Sequence, residues 1–144
     1  MSNFTGSRRF LLLSVALALA AVLGCGQSGP KIVKIEGTVT RGGQPLKGFE
    51  VHFDPEKGRP SAAKTDEQGH YVLEYTPQIK GAVLGKHKVY VWYFPDDPQN
   101  KIAQEEGRWK PPANVKAVLD KYGPDKTPLK FDIDKSQTID LKLD

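Results

Sequence analysis

The sequence is poor in the side chains that build covalent or metal-bound cores. Its 144 residues include one Cys and three His. A single Cys excludes an internal disulfide framework and a zinc cluster made of cysteines. None of the histidines stands in the H-E-x-x-H spacing by which a helix holds zinc. We therefore expect no catalytic residue, no metal ligand and no cofactor.

The net charge is also small when the first 24 residues are left out. The first 24 residues contain Arg8 and Arg9 and no acid, so residues 25–144 carry 19 basic against 17 acidic side chains. Proteins that bind nucleic acids present a basic stripe or patch. The near balance, together with the export signal described next, predicts no nucleic-acid partner.

The chain begins with one apolar run. Arg8 and Arg9 precede residues 10–23, in which Ser14 is the only polar side chain. A spanning helix needs about 20 apolar residues, whereas a basic start followed by a shorter apolar run is typical of a secretory signal peptide. We therefore predict that residues 1–24 are an export signal that the mature protein lacks. The paired arginines also resemble a twin-arginine signal, so the export route stays open.

The predicted signal ends at the only Cys. Val22-Leu23-Gly24-Cys25 resembles the lipobox of bacterial lipoproteins, in which the Cys is acylated on sulfur and becomes the N-terminus. The resemblance implies a lipid on Cys25 and a membrane as partner, since several acyl chains give a stable anchor. Gln27 in place of Asp is similar to lipoproteins sorted to the outer membrane of Gram-negative cells. The alternative is that Cys25 is an ordinary residue in a signal that is uncleaved or conventionally cleaved.

A β domain follows a short linker. Residues 25–31 are mostly small and polar, which is typical of a flexible tether. From residue 32 apolar and polar side chains alternate, as in strands with one buried face. Seven segments show this pattern: residues 33–40, 49–53, 63–65, 71–75, 85–94, 129–133 and 139–143. With turn residues between them at the spacing of a β-sandwich, they predict one all-β domain over residues 32–144.

Residues 95–128 interrupt the strand pattern. This stretch has 34 residues and six prolines, and loops longer than about 12–15 residues are uncommon in compact domains unless they are functional. Within it, residues 114–122 predict a short helix that begins with Asn114 as N-cap and ends at Gly123-Pro124. We therefore expect a loop and short-helix insertion before the last two strands.

Several motifs carry a family resemblance. In chain order they are E-G-T-V at 36–39, G-Q-P-L-K-G at 43–48, T-D-E-Q-G-H-Y at 65–71 and G-K-H-K-V-Y-V at 85–91. Their order and spacing resemble carboxypeptidase regulatory-like domains, and Lys121-Tyr122 with Thr127-Pro128-Leu129 resembles an element of short bacterial lipoproteins of this kind. The resemblance covers about residues 32–143. It implies a seven-stranded Greek-key sandwich like that of transthyretin, and a non-catalytic role such as binding envelope partners or glycans.

A set of aromatic residues is the candidate binding face. Tyr90, Trp92 and Phe94 alternate along the longest predicted strand, and Trp109 lies in the insertion. Such rings can stack on sugar rings or on a peptide. The alternative is that residues 95–128 fold back over the rings and form a second small core. Burial of both Trp92 and Trp109 would remove the binding face.

Two functions remain open, and a metal carrier is a third possibility that would need the same convergence of side chains as the second. The first is a membrane-anchored, non-enzymatic module of the bacterial envelope, whose sandwich binds a protein or glycan or serves a structural role. The second is an exported transthyretin-like hydrolase that uses His52, His87 and an arginine in one cleft. Convergence of these side chains favours the hydrolase, whereas their dispersal favours the binding module.

Overall fold

The computed structural model describes residues 29–144, which form strands and two short helices. The predicted signal, the predicted lipid-attachment residue Cys25 and the first residues of the predicted tether lie outside the described residues. The strands are β1 Ile32–Val33, β2 Ile35–Arg41, β3 Gln44–Pro45, β4 Phe49–Pro55, β5 Ser61–Lys64, β6 His70–Val72, β7 Glu74–Thr76, β8 Ile79–Lys80, β9 Ala82–Val83, β10 Gly85–Tyr93, β11 Lys130–Ile133, β12 Gln137–Thr138 and β13 Leu141–Lys142. The helices, α1 at Pro98–Glu105 and α2 at Ala113–Tyr122, lie between β10 and β11.

The larger sheet has six strands in the order β11-β10-β4-β5-β7-β8, all paired antiparallel. β4 and β10 pair over seven positions, from Pro55 opposite His87 to Phe49 opposite Tyr93. Alternation along both strands sends one set of side chains inward and the other outward. This pair of strands therefore contributes both to the core and to the outer face of the sheet.

The second sheet is built around β2. β12 and β13 run parallel to β2 along one edge, and β6 and β3 pair antiparallel along the other. β1 and β9 form a separate two-stranded ribbon. The predicted strand over residues 71–75 is divided at Leu73, because β6 belongs to the second sheet and β7 to the larger one. The chain therefore passes from one layer to the other at this residue.

The layers enclose one hydrophobic core. Its inward side chains from both sheets are Ile35, Val39, Phe49, Val51, Phe53, Tyr71, Leu73, Val89, Val91, Ile133, Leu141 and Leu143. α2 adds Val115, Val118 and Tyr122 to the same cluster. Burying one such side chain stabilises a fold by roughly 1.5–3 kcal/mol. The predicted mostly-β, sandwich-like fold is confirmed, with the predicted segments divided into shorter strands.

The insertion is more helical than the sequence predicts. α1 begins after Asp97, whose Oδ1 accepts a hydrogen bond of 2.9 Å from the N–H of Asn100. It was not predicted because none of its residues is buried, so no apolar stripe marks it. α2 ends at Gly123 as predicted, but Asn114 as its N-cap is wrong. The helix starts from Pro112, so Asn114 lies within the first turn.

The motif residues hold turns and join segments. Asp66 Oδ1 accepts hydrogen bonds of 2.9 Å from the N–H groups of Gln68 and His70, and Gly69 takes a φ of 72°. That left-handed conformation favours glycine, so this part of the sequence builds a hairpin turn. In the insertion, Thr127 donates a hydrogen bond of 2.6 Å to the carbonyl of a β10 residue, Val89. The Thr-Pro-Leu element thereby fastens the insertion to the larger sheet.

Candidate binding face

The outer face of the larger sheet carries a row of aromatic rings. β10 alternates buried valines with Tyr90 and Trp92, which have the outward parity of the strand. Phe94 follows directly after β10 with the same parity. His52 on β4 lies opposite Tyr90 in the register of the two strands. We name these four residues, His52, Tyr90, Trp92 and Phe94, the aromatic strip.

The rings of the strip contact one another in pairs. His52 stacks on Tyr90, with ring centroids 4.7 Å apart and ring planes 5° apart. Trp92 meets Phe94 edge to face, with centroids 6.4 Å apart and planes at 61°. Both geometries are favourable for aromatic pairs. The strip is therefore an ordered apolar surface, most of it carried on paired strands.

The insertion leaves the strip open. Phe94 is 45% exposed, and the other three rings are partly exposed. α2 packs against the inner side of β10, because its Val115 and Val118 belong to the core. α1 lies beside the end of β10, where Gln104 donates a hydrogen bond of 2.9 Å to the carbonyl of Tyr93. Residues 95–128 thus close the core and do not form a second core over the outward rings.

Trp109, which the sequence analysis placed with these rings, does not contact the strip. Its ring stacks on Tyr93, with centroids 5.9 Å apart and planes 8° apart. Tyr93 has the inward parity of β10 and meets the buried ring of Phe49 edge to face at 5.1 Å. Trp109 therefore packs on the core side of the sheet, whereas Trp92 lies on the outer side.

Charged side chains border the strip. Glu50 lies opposite both Trp92 and Lys64 in the register of the sheet. The Oε1 atom of Glu50 is 3.5 Å from Nε2 of His52. Lys64 forms an ion pair of 2.8 Å with Asp96, which follows the strip along the chain. The rings are therefore flanked by hydrogen-bond acceptors and donors.

The protonation of the strip follows from its partial burial. Burial lowers the pKa of His52, against a smaller opposing effect of the carboxylates of Glu50 and Asp54. Burial also raises the pKa of Tyr90, and the same two carboxylates add to that rise. At neutral pH His52 is therefore neutral and Tyr90 keeps its phenol proton. The strip itself carries no charge.

A cavity of about 600 Å³ adjoins the strip. It lies where β4, β10 and β11 meet at the start of β10, and Pro55, His87 and Phe131 contribute to its lining. Its charged lining consists of Lys86, Lys88, Lys130, Asp54, Glu56 and Asp132. None of these six side chains forms an ion pair within residues 29–144. Both signs of charge are therefore available to a polar ligand beside the aromatic rings.

The histidines lie apart from one another. His87 has the inward parity of β10 and is 2% exposed, and its Nε2 donates a hydrogen bond of 2.9 Å to the carbonyl of Val83. His52 is on the outer face, and His70 is on β6 in the other sheet. The described residues therefore do not form the cleft with His52 and His87 side by side that the hydrolase requires. They also contain no group of three or more His, Cys, Asp or Glu placed to hold a metal ion.

Sequence reasoning assigned His52 to a hydrolase cleft and missed its place in the strip. The sequence signal for this placement was the position of His52 on β4, between the inward side chains of Val51 and Phe53. That parity predicts an outward side chain. Only the register between β4 and β10 places the imidazole on the ring of Tyr90.

Within residues 29–144, no helix has both the length and the apolar character needed to cross a bilayer.

Comparisons with family models, with curated proteins and with solved structures found no match for the chain. The chemistry of the outer face is therefore interpreted from its own geometry.

Proposed function

We propose that this protein is a lipid-anchored, non-enzymatic binding module of the bacterial envelope, and that it holds a glycan or protein ligand on the aromatic strip. In this proposal residues 1–24 direct export, Cys25 carries the lipid and residues 25–31 are the tether. We also infer that the sandwich over residues 32–144 follows the seven-stranded Greek-key plan of transthyretin-like, carboxypeptidase regulatory-like domains, with its strands divided into shorter ones.

The uncovered strip is the observation that carries the proposal. Its outward rings stay partly exposed although a long insertion follows them directly in the chain. Sugar rings have apolar C–H faces that stack on aromatic rings, and their hydroxyls bond to carboxylates such as those of Glu50 and Asp54. A glycan therefore fits the combination of rings and bordering acids best.

The placement of the histidines supports a binding role over a hydrolytic one. General acid and base groups must reach the same substrate within hydrogen-bond distance. His52 and His87 lie on opposite faces of the larger sheet, and His87 is buried in the core. A substrate bound on the aromatic strip would therefore meet His52 without His87.

Binding to the strip can be followed by the fluorescence of Trp92. Trp92 and Trp109 are the two tryptophans of the chain, so the Trp109→Phe variant leaves one fluorophore on the strip. Titration with N-acetylglucosamine oligomers and with soluble peptidoglycan fragments is expected to change its emission saturably. In the wild-type background Trp92→Ala is expected to weaken binding about tenfold or more, as measured by calorimetry.

The matched control is Ile79→Ala. Ile79 is also 45% exposed, but it lies on β8 at the other end of the sandwich. Its truncation is expected to leave glycan binding unchanged. Glycan binding that persists in Trp92→Ala would place the ligand elsewhere and contradict the proposal.

The lipid anchor is tested separately. Intact mass spectrometry of the protein extracted from membranes is expected to show a chain that starts at Cys25 and carries acyl groups. The Cys25→Ala variant is expected to lose its membrane association, because no other Cys replaces the thiol. A mature chain with an unmodified Cys25 thiol would contradict the anchor.

A further inference from the structure

The strand pairing defines one end of the sandwich that lies next to the predicted tether. β10 begins where β4 ends, because His87 lies opposite Pro55, and β11 ends there too, because Ile133 lies opposite Gly85. The start of β2 pairs with β12 at the same end. We call this end the tether end. It is formed by residues 31–36, the first residues of β10, the end of β11 and the loops at 56–60, 77–78 and 134–136.

The tether end is basic. Its basic side chains are Lys31, Lys34, Lys57, Arg59, Lys86 and Lys135. The acids in the same segments are Glu36, Glu56, Asp132 and Asp134, so this end has a net charge of +2. The remainder of residues 29–144 carries 13 basic and 13 acidic side chains. The net positive charge of the described residues therefore lies at this end.

Most of these cations are not neutralised by the fold. Lys34 pairs with Glu36 at 2.7 Å. The other five form no ion pair within the part of the chain that the structure describes. The positive charge of the tether end is therefore directed to the outside.

An exposed apolar side chain lies at the same end of the sandwich. Ile79 is 45% exposed and follows the 77–78 turn between β7 and β8. That turn is at the tether end, because β7 runs antiparallel to β5, which starts there at Ser61. Peripheral proteins bind bilayers by the same combination: cations face anionic headgroups while an apolar side chain enters the headgroup boundary.

We propose that the tether end lies against the anionic surface of the bilayer in which the lipid of Cys25 is embedded. The inference rests on the proposed lipid anchor. Residues 26–31 span at most about 20 Å when fully extended, so the anchor keeps this end close to the headgroups. The negative potential of a bilayer acts within about 8 Å at physiological ionic strength. Contact therefore requires only that the sandwich stand with its tether end towards the membrane.

This orientation keeps the aromatic strip away from the membrane surface. β10 runs away from the tether end, and Trp92 is seven residues beyond Gly85. At about 3.3 Å per residue, Trp92 lies about 23 Å along the strand from the membrane-facing end. The strip is thereby held clear of the headgroups and open to ligands in the envelope.

Lysine footprinting of the lipidated protein tests the contact. The protein is reconstituted into vesicles of phosphatidylcholine alone or of phosphatidylcholine mixed with phosphatidylglycerol, and treated with a water-soluble acetylating reagent. Mass spectrometry then measures the labelling of each lysine. The residues expected to be labelled several-fold less on the anionic vesicles are Lys31, Lys57, Lys86 and Lys135. Lys101 and Lys110 lie at the opposite end and are expected to be labelled equally on both, and high salt is expected to remove the protection.

Charge reversal gives a matched pair of variants. Each cation near an anionic bilayer contributes about fivefold to association. Lys57→Glu combined with Arg59→Glu is therefore expected to weaken the contact more than about 25-fold and to abolish the protection of Lys31. Lys101→Glu combined with Lys110→Glu changes the same charge at the opposite end and is expected to preserve it.

The outcomes separate this proposal from the proposed function. An unmodified Cys25 in the intact mass overturns both the anchor and the contact. With Cys25 acylated, equal labelling on the two kinds of vesicle overturns the contact and leaves the anchor standing. Protection by soluble heparin on zwitterionic vesicles, without protection on anionic vesicles, would assign the tether end to a soluble polyanion and also overturn the proposal.

Discussion

The hydroxyl of Tyr71 donates a hydrogen bond of 2.7 Å to the backbone carbonyl of Ile139. Tyr71 is 1% exposed on β6, and Gly37 of β2 lies opposite it in the second sheet. A side chain at Gly37 would collide with the same carbonyl. Gly37 leaves space for the carbonyl group of Ile139, and Tyr71 donates a hydrogen bond to it. These two motif residues together position the segment between β12 and β13.

The Tyr71→Phe variant tests this hydrogen bond. It keeps the buried ring and removes the donor to a carbonyl, so the free energy of unfolding is expected to fall by about 1–2 kcal/mol. Denaturant unfolding followed by circular dichroism measures the loss. The control is Tyr75→Phe, because Tyr75 is partly exposed and its hydroxyl makes no hydrogen bond within the described residues. Equal losses in the two variants would show that the bond to Ile139 does not stabilise the fold.

The Gly37→Ala variant tests the close approach of the chain. An added Cβ would lie 1.9 Å from the carbonyl oxygen of Ile139, and β2 is held by strands on both edges. Overpacking at such a site is expected to lower the free energy of unfolding by about 3 kcal/mol. Gly29→Ala is the control, because no atom lies within 4 Å of its added Cβ. A wild-type denaturation midpoint in Gly37→Ala would contradict the expectation.

The lowered pKa of His52 predicts a loss of stability in mild acid. Burial lowers its pKa in the folded protein from the ordinary value of 6.5, so the unfolded chain binds the proton more readily. This contribution is present in full above pH 6.5 and is lost as the pH falls towards the lowered pKa. A pH series of unfolding free energies is expected to be flatter for His52→Gln than for the wild type. Identical pH dependence in both proteins would contradict the burial of the imidazole.

A carboxylate at the end of the chain predicts a second, more acidic dependence. Asp140 Oδ1 accepts hydrogen bonds of 2.8 Å from the hydroxyl and from the N–H of Thr38, and these bonds lower the pKa of Asp140 from 3.8. The stabilisation is therefore present above pH 3.8 and is lost as the pH falls through the lowered pKa. Thr38→Val is expected to be less stable than the wild type at neutral pH, and the difference should shrink on acidification.

The control for this dependence is Thr138→Val. Thr138 is exposed, and its hydroxyl makes no hydrogen bond within residues 29–144. Its unfolding free energy is expected to stay close to the wild-type value at each pH. A constant difference between Thr38→Val and the wild type across the pH series would contradict the role of Asp140.

Truncation of the two tryptophans to Ala is expected to have opposite effects on stability and on glycan binding. Trp109 packs on Tyr93 at the edge of the core, so Trp109→Ala is expected to lower the free energy of unfolding by about 2 kcal/mol or more. Trp92→Ala removes an outward ring and is expected to cost less stability while weakening glycan binding. Unfolding and calorimetric titration of both variants measure the two effects. Loss of glycan binding in a stable Trp109→Ala protein would place the ligand on the core side of the sheet and contradict the proposed binding face.

The strands could be predicted because their signal is local. Val51 and Phe53 alternate with outward side chains on β4, and that alternation alone identifies a strand with one buried face. The division at Leu73 could not be predicted, because it depends on which distant strand each half pairs with. α1 was missed because it buries no residue, so its sequence carries no apolar period.

The sequence by itself determined that Tyr90, Trp92 and Phe94 share one side of a strand, and it carries the prediction of a lipid on Cys25. Only the tertiary structure decided that His52 stacks on Tyr90, that Trp109 lies on the opposite side of the sheet, and that five cations without an ion pair come together at the tether end. The side of a strand is set by neighbouring residues, because the backbone alternates every second residue. Register, the path of an insertion and the gathering of loops join residues far apart in the chain, so they are settled only when the two layers pack.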